Sequence, residues 1–156
     1  MSNVEKTVLV TGATGRQGAA VVRHMLARGW SLRALTRKPK SFAAQQLVRL
    51  GVEIVGSDLE DYLSVERAAK GCYGVYSVQD FWAAGAQREV LQGKNVADAA
   101  KKANVSHFVY SSVGGAERST GIPHWESKWE VERHIRFFVP PLSWRPITSI
   151  RWRLAC

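Results

Sequence analysis

The sequence predicts an α/β domain built on a doubly wound parallel sheet, and three observations predict it. Short apolar, β-branched runs alternate with helical patterns of eight to sixteen residues. The first run, TVLVT at 7–11, opens directly into a glycine-rich turn, Gly12-Ala-Thr-Gly15-Arg-Gln-Gly18, and an amphipathic pattern follows that turn. Parallel strands need right-handed crossovers, which put helices on both faces of the sheet. The expected strand order is 3-2-1-4-5.

Each element has a local reason. Ala19, Ala20, Val21, Val22, Met25 and Leu26 recur at helical spacing, and Gly29 is a natural stop. Residues 31–36, SLRALT, alternate as a second strand that Pro39 prevents from continuing. Ser41 caps a second helix carrying Phe42, Gln46, Leu47 and Leu50; Gly51 ends it and 52–55 form strand three. A third helix is expected at about 63–70, strand four near 74–78, a long helix at about 88–103, strand five at 107–111 and a last helix at 126–136. No repeat of fixed period and no low-complexity segment interrupts the series.

Composition sets the limits. A chain of 156 residues, 46% hydrophobic, suits one domain that buries about 70% of its unfolded surface. No basic segment with an apolar core and cleavage site begins the chain, and no run of 18 apolar residues occurs, so it reads as soluble, cytoplasmic and without a membrane partner. Cys72 and Cys156 share no disulfide or metal spacing, and Cys72 beside Gly71 reads as a buried small residue. Lys plus Arg (22) exceeds Asp plus Glu (13) by 9, yet the basic residues scatter except at Arg37, Lys38 and Lys40, which disfavours nucleic acid as a partner.

Chemistry concentrates at the glycine turn. Missing β-carbons let backbone approach a pyrophosphate while the N–H groups of the following helix point at it, which makes the fold Rossmann-type. The alternative, a tight turn serving only helix packing, is weakened by the strand before and the helix after. A P-loop is excluded because no GK[ST] follows. Beyond strand two, where an NAD binder usually places Asp or Glu, the residues are Thr36, Arg37 and Lys38. A carboxylate there would repel a 2′-phosphate, whereas the planar fork of Arg37 pairs with one, so NADP is favoured over NAD. Arg37 and Lys38 as solvated loop charges are the bland alternative. After strand three, Asp58 and Leu59 either flank the adenine or, for Asp58, cap a helix.

VTGATGRQG, LTRKP, SDLED, GVYSVQ, QGKNVADAAKKA, FVYSSV and HWESKWEVE closely resemble the NmrA-like family of atypical short-chain dehydrogenase/reductases, over about residues 6–136. The resemblance implies a Rossmann domain followed by a smaller substrate domain, and either NADP sensing without turnover or NAD(P)H-dependent reduction. By position, it implies that Gly12, Thr14, Gly15, Arg16, Gln17 and Gly18 wrap the pyrophosphate, Arg37 takes the 2′-phosphate, and Asp58 and Leu59 flank the adenine. It maps Lys94 of QGK toward the cofactor and Ser111 and Ser112 toward the nicotinamide side. Ordinary short-chain dehydrogenases use YxxxK, with the lysine holding the ribose while tyrosine donates the proton. That register here reads His124-Trp-Glu-Ser-Lys128, so Lys128 is kept and an imidazole replaces the phenol. His124, of a residue type that can serve as an acid, and Lys128 are the candidate catalytic pair; a polar residue ahead of a helix is the alternative for His124. Trp125 and Trp129 are assigned to packing, and no metal site is expected.

From Phe137 to Cys156 there are three prolines, three arginines and two tryptophans but no Asp, Glu or Gly. Periodicity fades there, and the likeness shrinks to Arg145-Pro146. The chain therefore divides into a 1–136 nucleotide-binding domain and a 137–156 basic tail that reads as a truncated or frame-shifted end, with strand six and the substrate domain missing or malformed. The favoured function is an NADP-binding redox sensor or regulator, with a protein partner. The alternative is an NAD(P)H-dependent oxidoreductase of quinones or similar small molecules, and the third reading is a basic nucleic-acid or protein-binding module. Apolar surface exposed at the edge of a missing domain would drive self-association into a homo-oligomer.

Overall fold

The structure, a computed structural model, describes residues 6–138 and 143–147, with backbone alone for Phe138 and 143–147. Among the described residues, six parallel strands form one sheet in the order β3-β2-β1-β4-β5-β6. They are β1 (Thr7–Val10), β2 (Ser31–Thr36), β3 (Glu53–Gly56), β4 (Gly74–Ser77), β5 (His107–Ser111) and β6 (Ser143–Ile147). The crossovers carry α1 (Arg16–Leu26), α2 (Phe42–Arg49), α3 (Tyr62–Ala69), α4 (Phe81–Ala84), α5 (Ala86–Lys102) and α6 (Pro123–Phe138).

Strand alternation divides the core between two faces. Val8 and Val10 of β1 pack with Val22 of α1, Leu32 and Ala34 of β2, and Leu47 of α2. Leu9 points the other way and joins Val65, Val75, Val96, Phe108 and Val131 beneath α3, α5 and α6. Helices α5 and α6 approach closely at Gly93, where an added β-carbon would lie 2.7 Å from Val131 Cγ2. Cys72 is buried with its sulfur 3.5 Å from the Arg33 guanidinium, and burial pushes its thiol up.

The expected order 3-2-1-4-5 holds, and β6 extends it beyond β5. This corrects the expectation of a missing or malformed sixth strand: Ser143 to Ile147 pair in register with His107 to Ser111. Pro146 hid the strand because it cannot donate to a ladder, a defect that an edge strand tolerates. The remainder of the basic tail, 148–156 with Cys156, and the segment 139–142 lie outside the described residues. The pattern also missed α4, whose four residues are too few to show a period; Asp80 caps it by accepting from the N–H groups of Trp82 and Ala83. Helix α6 begins at Pro123, ahead of the expected 126, because proline suits a first helical position.

Candidate functional site

Sheet register brings the candidate residues to one edge. Thr36 is paired with Gly56, and the Ser57 N–H donates to Thr36 O at 3.0 Å, so Arg37 and Asp58 leave the sheet side by side. Ser77 pairs with Tyr110, which sets Val78 beside Ser111. Between these two regions, β1 and β4 are neighbours while their crossovers run in opposite directions, the point where open α/β sheets bind ligands. Thr11, fully buried, ties that point together: its hydroxyl donates to Val78 O at 2.8 Å and accepts from Val78 N–H at 2.8 Å.

The glycine turn is shaped by what is absent from it. Gly12 has φ +59, and a β-carbon there would meet Val78 Cγ1 at 2.8 Å. Gly15 precedes α1 and offers no side-chain cap, so the first N–H groups of that helix have no side-chain acceptor at their cap. At Gly18 a β-carbon would stand 2.2 Å from Gly12 O, so only glycine lets α1 start this close to the turn. Thr14, Gly15 and Arg16 are exposed and Gln17 half-buried around this cradle. The turn is thus lined by backbone, with the start of α1 open beside it.

Arg37 is exposed immediately after β2. The Asp58 carboxylate accepts the Glu60 N–H at 3.0 Å, and the residue that caps α3 is Asp61, accepting from Ser64 N–H at 3.1 Å. The capping alternative for Asp58 is therefore corrected, since three residues of spacing favour Asp61. Leu59 is half-buried against the core, and its carbonyl accepts from the Asn95 amide at 3.0 Å. Arg88 and Gln92 donate to Glu60 Oε1 at 2.6 and 2.9 Å, so α5 fastens the loop after β3 at three points. Hydrogen bonds from Gln92 and Arg88, with a smaller contribution from Arg37, hold the Glu60 carboxyl below the usual range. Sequence reasoning missed Arg88, Gln92 and Asn95, because helix periodicity says nothing about which loop a helix face meets.

At the other end, Ser111 is buried and the Ser112 hydroxyl donates to the Glu132 carboxylate. Lys128 is nearly buried, its ammonium 2.8 Å from Glu89 Oε1 and 5.4 Å from the Tyr110 ring centre. His124 packs its ring 4.9 Å from Phe81 and 5.9 Å from Trp82, and its Nδ1 is buried without a hydrogen-bond partner. Gln79 at the end of β4 likewise leaves Oε1 buried and unpaired. Orphaned polar atoms beside a glycine cradle fit a polar ligand laid across this edge. Lys94 does not join them: its ammonium is 2.6 Å from Glu130 Oε1 on α6, half-way along α5. The mapping of Lys94 toward the cofactor is thus corrected, since its helical position faces α6 and an acid there takes its charge. Glu89, Phe81 and Trp82 belong to this end and fall in no sequence motif that points to it.

Two surface hollows lie away from this edge. One, between β2, β3 and α3, is braced by Arg33, which donates to Ala68 O and Lys70 O at the end of α3 and pairs with Glu53. The other is lined by Lys94, Glu130, Arg133, His134 and Phe137 on α5 and α6. Among the described residues, no cluster of three or more His, Cys, Asp or Glu side chains is placed to hold a metal ion. No helix among them is long and apolar enough to cross a membrane.

Residues 4–145 match the NmrA-like family. The chain belongs to that family. An NmrA-like family domain-containing protein of Dictyostelium discoideum is 36% identical over 139 residues, 85% of this chain and 46% of that protein. NmrA, a negative transcriptional regulator solved in complex with NADP, is similar with a TM-score of 0.75 at 28% identity, over 92% of this chain and 44% of that one. The NADPH-dependent quinone oxidoreductase of Escherichia coli, solved with NADPH, is similar with a TM-score of 0.73 at 25% identity, over 83% of this chain and 44% of that one. The NmrA-like chain thus spans a little under half the length of these relatives. The family match runs past 136 into β6, in keeping with the sixth strand of the sheet.

Proposed function

We propose that this NmrA-like domain binds NADP(H) along the carboxyl edge of β1, β2 and β4, and serves as a redox-sensing or regulatory nucleotide binder. The observation that carries this reading is the contact at Gly18, where 2.2 Å between a virtual β-carbon and Gly12 O reserves the turn for backbone alone. Gly12, Thr14, Gly15, Arg16, Gln17 and Gly18 would hold the pyrophosphate, Arg37 the 2′-phosphate, and Asp58 and Leu59 the adenosine. Ser111 and Lys128 would lie on the nicotinamide side, with Ser112 held by Glu132 just behind. Bound there, NADPH would supply a hydride from its nicotinamide, and its oxidised form would accept one. The exposed position of Arg37 after β2, with no carboxylate at residues 36–38, supports the phosphorylated dinucleotide.

Titration of the chain with NADPH and with NADH, followed by tryptophan or nicotinamide fluorescence, tests this. NADPH is expected to bind in a saturable way and more tightly than NADH. Arg37→Ala is expected to weaken NADPH by about tenfold to a hundredfold while leaving NADH nearly unchanged, the cost of one or two charge-assisted hydrogen bonds. Equal weakening of both nucleotides would remove Arg37 from the 2′-phosphate, and no binding of either would overturn the reading.

A second reading, reduction of quinones or similar planar molecules, is favoured by the aromatic group beside the nicotinamide side. Trp82 is 84% exposed, edge-on to Phe81 at 5.2 Å and near His124, giving a flat surface for an acceptor to stack on. The sensor has no use for turnover, so NADPH oxidation followed at 340 nm, a wavelength chosen for the assay, with a panel of quinones separates the two. Steady oxidation that Trp82→Ala reduces supports the reductase; silence across the panel, with NADPH bound, supports the sensor. The His124 imidazole stands where a phenol acts in ordinary relatives of this fold, and its unpaired Nδ1 is the ring atom available to hydrogen-bond a ligand there.

A further inference from the structure

We propose that Glu89 is a positioning residue that holds Lys128 for the nicotinamide end of the dinucleotide, an inference that rests on the dinucleotide reading above. Glu89 sits on the first turn of α5 and is fully buried. One carboxylate oxygen is 2.8 Å from Lys128 Nζ and the other accepts from the hydroxyl of Ser127, the residue just before the lysine. Glu89 therefore grips two consecutive residues of α6 and sets where the lysine points. Lys128 and Glu89 side chains are only 6% and 0% exposed.

A purely structural role explains this pair poorly. Burying two charges costs desolvation that their attraction seldom exceeds, and apolar residues of similar volume often hold helices together better. The α5 and α6 contact is already apolar at Gly93 and Val131. The surroundings of the ammonium also single out Glu89. From β5 comes Tyr110, whose phenol burial pushes well above its ordinary range. On α6, His124 lies one turn before Lys128; Glu132 lies one turn after and is engaged by Ser112 and by Arg136 at 3.0 Å. Among the described residues Glu89 is thus the carboxylate paired with Lys128, at the edge where the sheet presents Ser111.

NADPH titrations between pH 6.5 and pH 9, values chosen for the assay, test the proposal on the whole chain and on Glu89→Gln, Glu89→Asp, Lys128→Met and Glu89→Gln/Lys128→Met. Without its carboxylate, burial favours the neutral amine, which is a weaker donor. Glu89→Gln is therefore expected to bind NADPH about tenfold more weakly, and to lose further affinity as pH rises, unlike the parent chain. Glu89→Asp is expected to restore the parent pH profile, and the double variant is expected to match Lys128→Met, because Glu89 acts through the lysine. Where Glu89→Gln does not fold, the aspartate and double variants carry the comparison. An unchanged affinity and pH profile in Glu89→Gln, or losses at the two positions that simply add, would overturn the proposal. A parent chain that binds no NADPH would instead overturn the dinucleotide reading, and this inference with it.

Discussion

Gly18→Ala is expected to be the most damaging single methyl that can be added to this chain. The new β-carbon would lie 2.2 Å from Gly12 O, 2.5 Å from Gly12 C and 2.8 Å from Ala13 Cα. All three are backbone atoms, so no side chain can rotate away and either α1 or the turn must shift. Alanine gains about 1 kcal/mol of helix propensity over glycine, but overpacking against fixed atoms costs about 3 kcal/mol and outweighs it. With about 2–4 °C of melting temperature per kcal/mol for a chain of this size, a net loss of about 2 kcal/mol lowers Tm by roughly 4–8 °C. NADPH affinity should fall by about a hundredfold, because the displaced helix start is the proposed phosphate site. Gly15→Ala is the matching control: its φ is −88 and its β-carbon would meet Gly12 O at 3.3 Å. It should fold with little change in Tm yet still weaken NADPH, since its β-carbon intrudes where the diphosphate is proposed to lie. Thermal melts and nucleotide titrations of the two variants separate packing from ligand approach. A Gly18→Ala chain with unchanged Tm and affinity would mean that the helix does not start against the turn.

Gly93→Val is expected to destabilise the chain by about 3 kcal/mol, measured by urea unfolding. Its β-carbon alone would lie 2.7 and 2.8 Å from the two methyls of Val131, and valine adds two more carbons. Val131 is fully buried and stiff at χ1, so it cannot move aside. The reciprocal change makes room: Val131→Ala in the same chain should recover more than half of the loss, although each substitution alone is harmful. Because α5 carries Glu89 and α6 carries Lys128, Gly93→Val should also weaken NADPH while Gly93→Val/Val131→Ala restores it. Losses that add in the double variant would show that the two helices do not meet at this point.

These two glycines mark how far the sequence could be read. Gly18 was legible because a strand, a GxxGxxG turn and an apolar helix are contiguous, and the chemistry of a pyrophosphate dictates their spacing. Gly93 sits inside QGK, the segment whose Lys94 the resemblance maps toward the cofactor, yet the work of Gly93 is to let α6 approach. The same segment misdirected Lys94, because helical phase decides whether a lysine faces a ligand or a neighbouring helix, and the strip of sequence does not carry the phase of the partner. The place of Arg37 was legible for a different reason, since the alternation of residues 31–36 and Pro39 fix where strand two ends.

What the sequence by itself determined is the set of properties that depend on neighbours along the chain: the βα alternation, the central order 3-2-1-4-5, the glycine cradle and the basic residue beyond strand two. Tertiary structure decided everything that depends on contacts between distant segments. It added β6 to the sheet despite Pro146, gave the α3 cap to Asp61 rather than Asp58, fastened Glu60 to α5 through Arg88 and Gln92, and brought the buried carboxylate of Glu89 to Lys128. The physical reason is that turn and strand chemistry is local, whereas the pairing of buried polar groups is settled only when helices dock and each group must find a partner away from water.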